Sequence, residues 1–183
     1  MRRRPGIFLL SLCALAPLPA AARNLPPGCG PDKLKFNVTV GTIVADMPAL
    51  APGKARLIFI EILTKHGVLG AAPTTRYAVD GAWAGATKGN SFFLVDVDPG
   101  YHQICANWQA VNITGDNVGM AQVNAIAGAT YYFQTAILEV AENAGPPGSN
   151  QIWTNIQFHF NPVSPQAGQD RLLYSGLSTF TTK

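Results

Sequence analysis

The feature that most constrains this chain is a succession of short stretches in which apolar and polar residues alternate, each closed by a turn-forming pair. Side chains on a strand point to opposite faces with a period of two, so these stretches read as half-buried strands. In LKFNVTV, Leu34, Phe36, Val38 and Val40 alternate with Lys35, Asn37 and Thr39. In QIWTNIQFHF, Ile152, Ile156, Phe158 and Phe160 take one face, and Trp153, Asn155, Gln157 and His159 the other. The stretch ARLIFIEIL, from Ala55 to Leu63, differs: it is apolar on both faces apart from Arg56 and Glu61, as a central strand covered on two sides would be.

Turn chemistry sets the connections. Asp80-Gly81 suits the positive backbone angles of a tight hairpin. Asp98-Pro99-Gly100 predicts a second turn, of type II with Gly100 at positive φ, joining FFLVDV and YHQICANWQ as neighbouring antiparallel strands. Further strands are expected near residues 118–127 and 129–140, with a loop of Gly, Pro and Asn after them. Ser164-Pro165 is an N-cap and first-turn pair that opens a short helix to about Tyr174, stopped near Gly176. The fold class is therefore all-β, an antiparallel β-sandwich with one short C-terminal helix. Strands without alternating helices exclude a parallel α/β architecture.

The first residues speak to compartment. MRRRPGIFLLSLCALAPLPAAA has arginines, then an apolar run, then small residues, the order of a secretory signal peptide cleaved after Ala22. The run Ile7–Leu18 is short of the roughly 20 residues a helix needs to cross a bilayer, so no transmembrane anchor is expected after processing. Cys13 follows bulky Leu12, which disfavours lipid attachment there, and Pro5-Gly6 interrupts a twin-arginine pattern. The organisation read from this is a signal peptide at 1–22, an N-terminal segment at 23–33, a β-sandwich domain at 34–163 and a helix and tail at 164–183.

Removing the signal removes the basic character. The full chain has 13 Lys and Arg against 10 Asp and Glu, and Arg2, Arg3 and Arg4 leave with the signal, so the mature balance is 10 against 10. Without a cluster of Lys and Arg to face phosphates, nucleic acid is excluded as a partner. Cys29 and Cys105 are the cysteines that remain, and in an oxidising compartment an even pair is read as a disulfide. That bridge would staple the segment LPPGC, which has little apolar content of its own, to the strand bearing Cys105.

TTRYAVDGAWAGATKGNSFFLVDVDPGYHQICANW followed by AGATYYFQ resembles the bacterial exported domain catalogued as domain of unknown function 2846. The resemblance spans about Lys54 to Val140 and rests on the order of a "DG" hairpin, a strand ending in "PG" and a later "aGxxYY". CGPDKLKF and CANW resemble a subgroup expected to carry the disulfide. The resemblance implies an envelope or exported β-domain with no established activity and, by analogy of fold, a sandwich of the prealbumin-like or immunoglobulin-like kind.

Catalytic patterns are wanting. His102 and Cys105 have a ligand-like spacing, but at i and i+3 on a strand they point to opposite faces, so no metal site is assigned. There is no Gly-x-Ser-x-Gly, and Tyr174-Ser175-Gly176 sits at a helix end. Asp96 and Asp98 share a face near a strand end, yet Asp before Pro-Gly is an ordinary turn residue. Glu61 falls in the most apolar strand and is expected to lie toward its end and reach water, because an unpaired buried carboxylate is costly. No phosphate-cradling glycine loop can be written, and no cofactor is assigned. Three readings follow: a noncatalytic exported domain, structural or binding an envelope protein; a carbohydrate or peptide binder that uses Trp83, Tyr101, Trp108 and Trp153 as stacking surfaces, unless at least two of the tryptophans cover the core; and an unrecognised hydrolase.

Overall fold

The most apolar stretch becomes the centre of the molecule. A computed structural model describes residues 25–43, 47–63, 74–109, 117–143 and 152–183. The signal peptide read at residues 1–22 and the histidine at 66 lie outside them. The strands are β1 Phe36–Ile43, β2 Ala55–Leu63, β3 Thr74–Val79, β4 Ala82–Lys88, β5 Ser91–Val97, β6 Gly100–Trp108, β7 Val118–Ala125, β8 Thr130–Asn143, β9 Ile152–Val163 and β10 Gly176–Thr182, with helix α1 at Pro165–Leu172 before the last. They form a six-stranded sheet in the order β1-β10-β5-β2-β8-β9 and a four-stranded sheet in the order β4-β3-β6-β7.

The two sheets face each other across one core. Leu57, Phe59, Phe93, Phe133 and Phe160 from the larger sheet meet Tyr77, Ile104, Ala106 and Ala125 from the smaller. Phe59 is at the middle, with ring centroids 4.8 Å from Tyr77, 5.0 Å from Phe93 and 5.6 Å from Phe133. Burying an aromatic of this size is worth about 1.5 to 3 kcal/mol. The other parity of β2, Ile58 and Ile60, packs with Phe92 and Tyr132 under Leu172 of α1. The helix thus covers the outer face of the larger sheet, which is why β2 is apolar on both sides. Ser164 caps α1 by accepting from Ala167 N–H, as the sequence predicts, and Pro165 occupies the first turn. Gly168 lets the helix approach, since a Cβ there would lie 2.3 Å from the Tyr132 ring.

The Asp80-Gly81 hairpin forms as expected, with φ of 52° and 81° at its two central residues. The second turn does not make a hairpin. β5 pairs with β2 and β10, and β6 pairs with β3 and β7, so Asp98-Pro99 is an arch that carries the chain from one sheet to the other. Gly100 has positive φ, but at 137° it is far from the roughly 80° of a type II turn. The larger sheet is also mixed: β8 runs parallel to β2, and β10 parallel to β5. The expected tail contains β10, which fills the sheet between β1 and β5. β1 begins at Phe36, two residues later than its alternation suggests, and Val40 is exposed.

Candidate functional site

Polar side chains with chemical potential gather in three places. The first is inside the core. Glu61 shares the inward parity of Leu57 and Phe59 on β2 and is 0% exposed, so the expectation that it reaches water is wrong. What makes burial tolerable is a set of hydrogen-bonding groups from neighbouring strands. Glu61 Oε2 is 2.6 Å from Thr87 Oγ1 on β4, and Oε1 accepts from Gly89 N–H at 3.1 Å. Thr87 Oγ1 is 3.0 Å from the Tyr77 hydroxyl on β3, which is 3.0 Å from Thr135 Oγ1 on β8. The chain Glu61, Thr87, Tyr77, Thr135 starts and ends in the larger sheet and passes through the smaller one. Burial pushes the Glu61 carboxyl up to about 7, against the hydrogen bonds from Thr87 and Gly89 and the nearby polar groups of Thr75, which favour its charge. Burial, with the neighbouring Glu61 charge, pushes the Tyr77 phenol up as well, so it stays protonated.

The second place is the opposite end of the smaller sheet. His102 Nδ1 is 2.7 Å from Asp80 Oδ2, and Nε2 is 2.7 Å from the Asp98 carbonyl oxygen. A carboxylate and a carbonyl both accept, so the geometry suits a ring that donates from both nitrogens and favours its charged form. Partial burial opposes that charge, but the bonds to Asp80 and the Asp98 carbonyl outweigh it and raise the pKa. Burial also works against the Asp80 charge, yet the bonds from His102 and from Gln103 N–H hold its carboxyl below the ordinary range. His102 therefore ties the β3–β4 hairpin to the arch. The Asp96 and Asp98 pair weighed from sequence is divided between two cations: Arg56 grips Asp96 at 2.7 Å, and Lys54 reaches Asp98 at 2.8 Å.

The third place is the outer face of the smaller sheet, where the N-terminal segment lies. Cys29 and Cys105 form a disulfide with Cα atoms 5.1 Å apart. Trp83 Nε1–H donates to Pro31 O at 2.8 Å, and the Arg76 guanidinium sits 4.3 Å over the Trp83 ring. Arg76 donates to the carbonyls of Asp32 and Leu34, to the Asp32 carboxylate and to Asn107 Oδ1. Of the four aromatics singled out as stacking surfaces, Trp83 is thus under the segment and Trp108 is 4% exposed, whereas Tyr101 is 59% exposed. Trp153 pairs with Glu142 in the β8–β9 ladder, and its side chain lies outside the described residues. Two residues after Tyr101 on β6, Gln103 lines a shallow pocket of about 290 Å³ with Met120, Ala121 and Gln122. The segment borders it, with the Cys29 sulfur 3.8 Å from Met120 Sδ and Gly28 packed against Met120 and Gln103.

His159 is exposed, beside Gln157, and Ser175 is buried with its hydroxyl donating to Arg171 O. Among the described residues no three metal-ligating side chains converge, and no helix is long and apolar enough to cross a membrane. Sequence reasoning missed Thr75, Thr87 and Thr135 as partners of Glu61. The parity of Glu61 with Phe59 was the signal that placed it in the core. No family model matches the chain, and no curated protein or solved structure matches it either.

Proposed function

We propose that the chain is an exported, noncatalytic β-domain of the bacterial cell envelope, acting as a structural element or by binding an envelope partner. The observation that carries this reading is the employment of the side chains best suited to chemistry. Cys105 is in a disulfide, both nitrogens of His102 are engaged by the scaffold, and Trp83 is bonded to the segment that covers it. A disulfide of this kind persists in oxidising compartments, which supports export and cleavage after Ala22. The resemblance to domain of unknown function 2846 supports the envelope assignment and a prealbumin-like or immunoglobulin-like variant of the sandwich. The neutral mature charge balance supports a partner other than nucleic acid.

The test is to express the full chain in a bacterial host, fractionate it, sequence the mature N-terminus by mass spectrometry and crosslink it within the envelope. A periplasmic or extracellular product that begins at Arg23, with a reproducible crosslinked envelope component, is the expected result. Hydrolytic turnover by the purified domain, abolished in a folded His102→Ala variant, would overturn it. A second reading, a carbohydrate- or peptide-binding module, is favoured by Tyr101 standing exposed two residues before Gln103, which lines a pocket with Met120 and Gln122. Retention on an immobilised glycan or peptide that Tyr101→Ala removes would select it.

A further inference from the structure

Buried hydroxyls carry one proton each, and counting those protons along the core chain constrains the charge of Glu61. Suppose Thr87 gives its proton to Glu61 Oε2 while Tyr77 gives its own to Thr135. The Thr87 and Tyr77 oxygens, 3.0 Å apart, then face each other with no proton between them. Two arrangements avoid this. With Glu61 neutral, the carboxyl donates to Thr87, Thr87 to Tyr77 and Tyr77 to Thr135. With Glu61 ionised, every bond reverses: Thr135 donates to Tyr77, Tyr77 to Thr87 and Thr87 to the carboxylate. The neutral state keeps the Tyr77-to-Thr135 bond in the direction its geometry favours, and the ionised state requires the Thr135 hydroxyl to turn and donate instead.

We infer that Glu61 is a proton-operated switch, with the Thr87–Tyr77–Thr135 chain as the bistable element that joins the two sheets in either direction. The charged state has its own receptors, in Gly89 N–H and in Thr75, whose hydroxyl is buried without a hydrogen-bond partner beside the carboxyl. Among the described residues the surroundings are otherwise uncharged: β3 brings Thr75 and Tyr77, β4 brings Thr87, β5 brings Ser91 opposite Glu61 in register, and β8 brings Thr135. Tyr77 is the titratable group facing Glu61, and Arg76 and Lys88 alternate to the opposite side of their strands. Glu61 therefore responds to its own proton and not to a neighbouring ion.

The sign follows from linkage. The carboxyl rises from 4.5 in an open chain to about 7 in the fold, so the folded state holds a proton that the unfolded state releases. The stabilisation is complete below 4.5, declines as pH rises to about 7 and is absent above. A separation of about 2.5 pK units is about a 300-fold change in the unfolding equilibrium constant. Neutral surroundings thus lower the stability of the fold, and mild acid raises it.

The test is a carbon-13 carboxyl NMR titration of the full domain, paired with denaturant unfolding from pH 4 to 8.5. The wild type should titrate one glutamate near pH 7, and Glu61→Gln should flatten the 300-fold pH dependence. Two further variants separate the chain from simple burial. Thr87→Val removes a donor to the carboxylate and should raise the midpoint. Thr135→Val leaves the Tyr77 proton without an acceptor only when Glu61 is neutral, so it should lower the midpoint, by about half to one pK unit for a bond worth about 1 kcal/mol. A Glu61 midpoint in the ordinary glutamate range, or one that Thr135→Val leaves in place, overturns the inference even if Glu61→Gln does not fold.

Discussion

Replacing both Cys29 and Cys105 by alanine should lower the unfolding free energy by about 4 kcal/mol while leaving the N-terminal segment docked. The bridge spans 76 residues, and closing a loop of that length in the unfolded chain costs about 4.5 kcal/mol of conformational entropy at 25 °C. Loss of the well-packed sulfur of Cys105, which is buried, adds to the penalty, and residual structure in the unfolded chain subtracts from it. The segment has other anchors: Gly81 N–H donates to Gly28 O, Trp83 to Pro31 O, and Arg76 to the carbonyls of Asp32 and Leu34. Urea unfolding of the oxidised wild type and the double variant, followed by tryptophan fluorescence and far-UV circular dichroism, measures the difference. Limited proteolysis between Leu25 and Leu34 in water reports docking. An unchanged midpoint would refute the entropic argument, and rapid cleavage of the segment in the folded variant would refute the role given to Arg76 and Trp83.

Other substitutions probe the scaffold at separate points. Arg76→Met should cost about 3 kcal/mol, because it leaves the Asp32 and Leu34 carbonyls without their donor, whereas Asp32→Asn, at a largely exposed carboxylate, should cost under about 1 kcal/mol in the same urea assay. Gly100→Val should cost about 1 to 3 kcal/mol in thermal unfolding and lower the yield of folded protein; a Cβ there meets nothing within 4 Å, so the penalty comes from φ of 137° and not from a clash. Asp96 is held below the ordinary carboxylate range first by the Arg56 hydrogen bond, so its contribution is present above the unfolded pKa and is lost as pH falls through the lower folded one. Asp96→Asn should flatten that acid limb and cost about 2 to 4 kcal/mol at pH 6 by stranding a buried Arg56, as read from unfolding curves across pH.

The strands and the disulfide were legible because their signals are local or compositional. Period-two alternation, Asp-Gly at a hairpin and Ser-Pro at a helix start each depend on a few neighbouring residues; the hairpin and the helix start formed as read, and the strands formed with Val40 exposed against its reading. The arch did not, because Pro-Gly chemistry reverses a chain without saying which sheet receives it. The deciding information was in FFLVDV itself. Phe92 and Phe93 point to opposite faces and are both buried, one in the cluster under the helix and the other in the core between the sheets. Such a strand needs a sheet covered on both sides, whereas YHQICANWQ begins with exposed Tyr101 and Gln103 on its outer face. β10 escaped notice for a related reason: GLSTFTT is mostly Ser and Thr, and the place it fills beside β5 is parallel and two residue pairs long.

Glu61 marks where sequence reasoning met its physical limit. A cost argument placed it in water, since a lone carboxylate in the core is expensive. Parity argued the other way, and parity won because the cost applies to an unaccompanied group. The company comes from Thr75 and Tyr77 on β3, Thr87 on β4 and Thr135 on β8, residues between 14 and 74 positions away along the chain. Each of them alone reads as an ordinary strand residue. Their meeting depends on the register of β8 beside β2, where Thr135 pairs with Glu61, and on the fit of the small sheet over the large one. A sequence displays the residue that needs partners, and the strand that bears it. The partners become visible once two sheets have been stacked, which is also why a one-residue slip of β3 or β4 would remove the polar chain while leaving the alternation of every strand intact.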